Sequence, residues 1–477
     1  MLAGRDTLAV LPTGFGKSLV YQVAAVVRGR PTIVVSPLIA LMADQEQALR
    51  RRRVDVVRVD STLRVGERRD ALTRVAEGGS LVVLTTPESL DAPDLRAALD
   101  AAPPWLLCVD EAHCISEWGH DFRPAYLRLG VQRDALGGPV VLALTATATV
   151  RVREDIAHRL ALRRPETIVE PPYRPNLHLA AQVVSDDDKI EQTARRVKRW
   201  PRPGIIYCAT TRAVDGIASA LARARIGAAG YHGRMRKADR EQAQHRFTRT
   251  KTRIVMVATS AFGMGIDKPD VRYVLHYHAP ASLEQYVQEA GRAGRDGKMA
   301  RCELLFDPTD LDIQRALLAK SRAHPGQLRK VANALAAYAD EGRDAGIVEL
   351  AAAAGVPQTV ARSTCAQLEG LGVVHRDRDK RHRLLVSVRQ LHAAVDELVA
   401  QLDAQRRGDE QRLQQVEAYA RTDECRSVFI RRYFGEDDPP RCGRCDRCRP
   451  AMASSTSSRS RRRRAPRRKA PKSSPAR

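Results

Sequence analysis

Between Asp6 and about Thr147 the chain alternates short apolar runs with stretches of helical length. The runs Thr7–Leu11, Thr32–Ser36, Val54–Val59, Leu81–Thr85, Leu106–Asp110 and Val140–Leu144 are rich in Val and Leu on both faces. Strands covered on both faces read this way, and helix-length links between them predict a parallel sheet in a doubly wound α/β domain. The same grammar returns in Leu177–Val184, Gly204–Cys208, Ala228–Tyr231, Ile254–Ala258, Tyr273–Tyr277 and Cys302–Phe306. Between the two sets lies Glu170-Pro-Pro-Tyr-Arg-Pro175, a linker, because consecutive prolines stop regular structure and stiffen a connection.

After Phe306 the pattern changes. Val348–Ala354, a turn at Gly355-Val356 and Pro357–Glu369 predict helix, turn, helix. Gly370-Leu-Gly372 ends the second helix, and Val373–Arg376 and Leu384–Val388 flank a loop of Asp, Lys, Arg and His. That order predicts a winged helix; the alternative is a plain helical connector. Residues 391–420 predict a further amphipathic helix, followed by clustered cysteines. The expected division is therefore an α/β domain over 1–172 and a second over 173–308. A linker helix over 309–330, a winged-helix-like domain over 331–390, a helix with the cysteine module over 391–450 and a disordered basic tail over 451–477 complete it. The tail is dominated by Ser, Ala, Pro, Arg and Lys, which cannot bury a core.

Composition agrees with several cores. The length is 477 residues, against roughly 100–200 per domain, and the hydrophobic fraction of 43% is that of a globular protein. No run of about 18 apolar residues predicts a membrane span, and the N-terminus has no signal-peptide pattern, so a cytoplasmic protein is expected. Charge adds a functional hint. The net charge is +24, and without the ten tail cations (Arg459, Arg461–Arg464, Arg467, Arg468, Lys469, Lys472 and Arg477) the remainder still carries +14. A polyanionic partner such as DNA or RNA fits that balance, as does a solvated surface in an arginine-rich proteome.

Two strings carry phosphate chemistry. Pro12-Thr-Gly-Phe-Gly-Lys-Ser18 follows a strand and precedes an amphipathic helix beginning near Leu19. In such a loop Gly14 and Gly16 let the backbone close around phosphoryl groups, with Pro12, Thr13 and Phe15 completing its wall. Lys17 reaches the β and γ oxygens, and Ser18 can ligate Mg²⁺. Asp110-Glu111 ends another strand, at the sheet edge where ligands bind in open α/β folds. There Asp110 would hold Mg²⁺ through water and Glu111 would orient and deprotonate an attacking water. Cys425, Cys442, Cys445 and Cys448 cluster with the spacing of a closed four-thiolate zinc site, while Cys108, Cys114, Cys208, Cys302 and Cys365 are scattered in apolar contexts.

The string from Asp110 to Gly130, DEAHCISEWGHDFRPAYLRLG, resembles the acid motif and aromatic-rich loop of the RecQ family of superfamily-two DNA helicases. Val34–Gln45 (VVSPLIALMADQ), Thr85–Leu90 (TTPESL), Leu144–Thr149 (LTATAT), Ile254–Pro280 and Gln288–Gly297 (QEAGRAGRDG) resemble further motifs of that family. The run from Cys425 through Cys448 is similar to its zinc module. The resemblance implies two tandem RecA-like domains, with ATP, Mg²⁺ and Zn²⁺ as cofactors. It implies a monomeric motor on single-stranded and duplex DNA, moving 3′ to 5′ in repair or recombination. It further implies that Arg292 and Arg295 face the γ-phosphate across the interdomain cleft, and that Gly265, Asp267 and Gln288 line it. His113, Trp118, His120, Phe122, Arg123, Thr145 and Thr147 would then sense DNA and couple it to the nucleotide. Trp118 and Phe122 offer π faces on which bases stack.

Three features depart from the family pattern. The glutamine motif that reads adenine does not precede the phosphate loop in this sequence. Gly233-Arg-Met follows His232 where the family has Ala-Gly-Leu or Ala-Gly-Met. The winged-helix candidate comes before the zinc module rather than after it. Two functions therefore stay open here: an ATP-driven helicase, or a catalytically impaired relative acting as a DNA-binding protein.

The tail generates a test of its own. Ten cations without acids can neutralise phosphates but cannot form a base-reading surface. Each phosphate contact contributes about −0.9 to the slope of log affinity against log salt on duplex DNA. Deleting 451–477 is expected to flatten that slope by several units without changing sequence preference. Superimposable salt titrations of the full and shortened chains would show that the tail does not touch DNA.

Overall fold

The structure is a computed structural model that describes residues 1–449 apart from Glu117, His120, 250–252, 264–267, Arg322 and Arg378. The tail assigned to 451–477 and the candidate site residues His120, Gly265 and Asp267 lie outside the described residues.

Seven parallel strands form the first sheet: β1 (Thr7–Val10), β2 (Thr32–Val35), β3 (Val56–Val59), β4 (Val82–Thr85), β5 (Leu106–Val109), β6 (Val140–Thr145) and β7 (Glu166–Val169), in the order β3-β4-β2-β5-β6-β1-β7. Period-two alternation sends Leu8 and Val10 of β1 into one core and Ala9 with Leu11 into the other, so helices cover both faces. The sheet brings the ends of β1, β6 and β5 side by side at one carboxyl edge. β7 was not legible in the sequence. It is an edge strand whose four residues are all exposed, held by pairing with β1 and not by burial.

The second sheet is also parallel: β8 (Leu177–Val183), β9 (Gly204–Tyr207), β10 (Ala228–Tyr231), β11 (Val255–Ala258), β12 (Tyr273–His276) and β13 (Ala300–Phe306), in the order β10-β11-β9-β12-β13-β8. The fold is that of two RecA-like domains in tandem. Several strands start a residue or two from the expected limits, because ladder pairing sets them: β3 begins at Val56, where pairing with β4 begins, and β13 begins at Ala300, which pairs with Leu177.

The expected linker helix over 309–330 is instead two helices, Thr309–Ser321 and Pro325–Asp340. His324 caps the second, with Pro325 in its first turn, and the helix buries Leu328, Val331 and Leu335 in the winged-helix core. Helices Ile347–Ala354 and Gln358–Gly370 follow, then the antiparallel hairpin β14 (Val374–Arg376) and β15 (His382–Leu384). The second strand was expected over Leu384–Val388. It ends sooner because Ser387 caps the next helix, Val388–Arg421.

That helix has 34 residues and starts before the expected 391 boundary. Leu391, Val395, Leu398 and Leu402 sit in the winged-helix core, whereas Leu413, Val416 and Tyr419 sit in the core of the second RecA-like domain. At a rise of 1.5 Å per residue it extends about 50 Å, so one rigid element ties two cores together. Among the described residues no helix is long and apolar enough to cross a membrane.

Gly204, at the start of β9, has no room for a side chain. A Cβ on Gly204 would fall 2.1 Å from the fully buried ring of Tyr273 on the neighbouring strand. Gly204→Ala should therefore destabilise this domain by about 1–3 kcal/mol through overpacking, read as a lower urea midpoint. An unchanged midpoint would contradict the packing.

Candidate nucleotide cleft and metal centre

The phosphate loop forms at the carboxyl end of β1. Gly14 and Gly16 have φ of 88° and 83°, a left-handed region that glycine enters without strain. The helix begins at Lys17, two residues earlier than the Leu19 expected, so its N-terminal N–H groups face the loop. Lys17 Nζ donates to the Leu11 carbonyl at 3.4 Å, and Gln45 Nε2 donates to Ser18 Oγ at 3.5 Å.

The acid pair emerges at the end of β5, with β6 between it and β1. Burial, reinforced by neighbouring Glu111, pushes the Asp110 carboxyl up to about 7, while Lys17 pulls it the other way. A buried acid of this kind beside a phosphate loop fits a divalent cation. Glu111 takes the left-handed conformation, φ 49°, a strain typical of functional turns. Its Oε2 lies 3.4 Å from His113 Nδ1 and has no hydrogen-bond partner among the described residues. His113 Nδ1 is instead 2.9 Å from Thr145 Oγ1, and burial holds this imidazole down at about 4, so it is neutral. Thr145 Oγ1 in turn accepts from the Thr147 N–H at 3.2 Å. The acid motif and the end of β6 are thus one buried network.

The second domain presents the opposite wall. Gln288 is half-buried near the end of helix Leu283–Ala290, and the turn after that helix carries Arg292 and Arg295. A Cβ on Gly14 would lie 3.7 Å from Arg295 Cγ, and one on Gly291 would lie 3.0 Å from Thr13 Cβ. Arg292 is buried, its Nε without a hydrogen-bond partner among the described residues. Pro12, Thr13, Gly14, Phe15, Tyr173 and Arg295 line one cleft with an empty volume of about 980 Å³. The sequence reading missed Arg174 in the proline-rich linker. Its guanidinium donates to Thr13 O at 3.3 Å, Gly291 O at 3.3 Å and Gly294 O at 2.6 Å.

The aromatic-rich loop is only partly as expected. Arg123 pairs with Asp121 and donates to Pro37 O at 3.1 Å, and Phe122 is half-buried. Trp118 was expected to offer an open face. Instead its ring carries the Arg151 guanidinium 3.2 Å from the centroid and packs against the first core. The sequence hid this because Arg151 belongs to another helix and the ring's apolar company comes from elsewhere in the fold.

Four sulfurs converge at the C-terminal end. Those of Cys425, Cys442, Cys445 and Cys448 lie within 4.8 Å of one another, with Cys425–Cys442 at 3.5 Å, Cys425–Cys445 at 3.8 Å and Cys442–Cys448 at 4.0 Å. Tetrahedral Zn–S bonds of about 2.3 Å place sulfurs about 3.8 Å apart, so the donor set fits zinc. Burial works against ionisation of Cys425, but N–H groups of Cys442 and Val428 bring its thiol down to about 7. Cys425 stands at the N-terminal cap position of helix Arg426–Tyr433, beyond the end of the long helix at Arg421. Another missed pair docks the module. Buried Arg426 pairs with Asp446 at 3.0 Å, and Asp446 accepts from the Ala181 N–H of β8 at 3.2 Å.

Comparison with known proteins now bears on this arrangement. Residues 1–156 match the DEAD/DEAH box helicase family model, 188–297 the helicase conserved C-terminal domain and 377–449 the RecQ zinc-binding domain. The ATP-dependent DNA helicase RecQ of Bacillus subtilis (strain 168) is 33% identical over 447 residues, covering 93% of this chain and 61% of that protein. The chain belongs to the RecQ helicase family. A second RecQ-type relative, the probable ATP-dependent DNA helicase RecS of the same organism, is 40% identical over 321 residues, covering 67% of this chain and 64% of its own length. The chain thus spans about three-fifths of the length of these curated relatives. In fold it is similar to the Mycobacterium smegmatis helicase Lhr bound to ssDNA and AMP-PNP, with a TM-score of 0.52 at 22% identity over 82% of this chain and 58% of that one. The RecQ zinc-binding match begins inside the β14–β15 hairpin, so most of the winged helix lies between matched regions.

One zinc per chain is expected by metal analysis. Because a structural site couples metal binding to folding, Cys445→Ser should lose the metal and leave the region beyond Arg421 open to proteolysis. Soluble, unchelated protein without stoichiometric zinc would contradict this.

Proposed function

We propose that this RecQ chain is an ATP-dependent DNA helicase that couples hydrolysis to 3′-to-5′ movement along single-stranded DNA and unwinds duplex in repair or recombination. The observation that carries the reading is the cleft, where the phosphate loop of one domain, with Asp110 close enough to feel Lys17, meets the arginine-bearing turn of the other. In this reading Lys17 and the loop N–H groups bind the β and γ phosphoryl groups of ATP. Asp110 and Ser18 would hold a Mg²⁺ ion, which neutralises phosphoryl charge. Glu111, with a carboxylate oxygen left without a hydrogen bond, positions the attacking water and takes its proton. Arg292 and Arg295 stabilise the charge that develops at the γ-phosphoryl group, and they do so only while the domains are closed, which links turnover to motion. Gln288 adds a polar contact beside them.

The His113–Thr145–Thr147 network supports coupling between DNA and nucleotide, since it runs from the acid motif to the end of the neighbouring strand. Single-stranded and duplex DNA are the proposed partners, in keeping with the net charge of +24. Both walls of the cleft come from one chain, which supports a monomer as the working unit. A cytoplasmic place beside the chromosome goes with this substrate. The contact of the phosphate loop with the arginine-bearing turn favours turnover over the alternative of a DNA-binding protein without it.

Lys17→Ala and Glu111→Gln should each lower DNA-stimulated ATP hydrolysis by at least about a hundredfold, the scale of a lost base or charge stabiliser. Glu111→Gln should still bind nucleotide. Turnover at the wild-type rate in both would sink the assignment. Partial duplexes with a 3′ or a 5′ single-stranded tail test polarity, and unwinding only from the 5′ tail would reverse the direction proposed.

A further inference from the structure

The long helix Val388–Arg421 does more than join two cores, because its middle touches the aromatic-rich loop of the first domain. Arg412 Nη1 donates to the Trp118 carbonyl at 3.0 Å across 294 positions of sequence. Arg412 and its partner Asp409 are both buried, so the Trp118 carbonyl is one of the few acceptors this guanidinium has in place of water. One turn away is Gly408, a poor residue for a helix interior, where a Cβ would lie 3.7 Å from the Trp118 ring. Arg151 covers a face of the same ring. Trp118, Arg151, Gly408, Arg412 and Tyr433 then line an open polar groove of about 960 Å³ between the helix and both RecA-like domains.

We infer that Arg412 is a positioning residue that latches the aromatic-rich loop onto the long helix, and that this latch sets how much single-stranded DNA is needed to start turnover. With Arg151 over one face and the helix beside the ring at Gly408, the half-buried tryptophan has little surface left for a base. The loop must leave the latch before Trp118 can stack on DNA, and the strength of the latch is subtracted from DNA binding. Gly408 keeps the contact weak, since the smallest residue stands where a methyl group would meet the ring. The other half of the helix lies in the winged-helix core, so the loop's resting position is tied to the placement of that domain. The inference rests on the helicase reading above.

Two variants should move the same quantity in opposite directions. Arg412→Ala should raise DNA-free ATP turnover and lower the oligothymidylate concentration for half-maximal stimulation by about three- to tenfold, the scale of a modest coupling between sites. Gly408→Ala adds a methyl at ordinary contact distance and should raise that concentration. Neither should change KM for ATP, which a general loss of structure would. Acrylamide quenching, taken as the difference between each protein and its W118F counterpart, reports on Trp118 directly and should increase in Arg412→Ala. Unchanged DNA dependence in both variants, or impairment in the same direction in both, would overturn the latch. Wild-type turnover indifferent to DNA would sink the helicase reading instead, and an unchanged quenching difference in Arg412→Ala would then overturn the contact by itself.

Discussion

The Arg174 guanidinium donates to a carbonyl of the phosphate loop on one side and to carbonyls of the arginine-bearing turn on the other. Hydrogen bonds from a charged donor contribute about 1.5–3 kcal/mol each, so a single linker residue can hold two domain faces in register. The linker is well suited to the task. Its prolines restrict the chain to a few conformations, which lowers the entropy cost of bringing the faces together. Everything proposed for the cleft follows from that bridge, because neither wall alone contains both a phosphate cradle and the opposing arginines.

The zinc module obeys a related logic. It is too small to bury a core of its own, and it contributes only Cys425, Val428 and Cys445 to a small buried cluster. Its attachment comes from Ile430 and Phe434, buried in the second domain's core, and from Arg426, fully buried, whose charge is matched by Asp446 and by carbonyls of Tyr419 and Ala181. Breaking a buried pair on one side costs about 3–5 kcal/mol, since the remaining charge has no water to return to. Metal binding and docking are thereby joined, because Asp446 sits between two of the cysteine ligands. The module is held against β8, the first strand after the linker, so it buttresses the hinge.

The long helix adds a third level. It belongs to the winged-helix core at one end and to the second domain's core at the other, and between them it reaches the first domain through Arg412. Packed cores do not deform continuously, so a helix anchored in two of them transmits a shift as a rigid body. Placing the winged helix before the zinc module makes this geometry possible.

Much of the molecule was legible in the chain itself. Doubly apolar strands such as Ile33–Val35 and Leu106–Val109 announce a parallel sheet because both faces must be covered. The phosphate loop, the acid pair and the four cysteines are local strings whose chemistry depends on spacing of a few residues. The sequence by itself determined these elements, since period, turn chemistry and ligand spacing are short-range properties. Only the tertiary structure decided what lies between distant strings. The exposed edge strand β7 exists because β1 offers it a ladder, Arg174 acts because two domains close on it, and Trp118 is held because Arg151 lies over its ring and Arg412 bonds its carbonyl. Most such contacts join residues more than a hundred positions apart, and no local pattern encodes the direction from which a long, charged side chain will come.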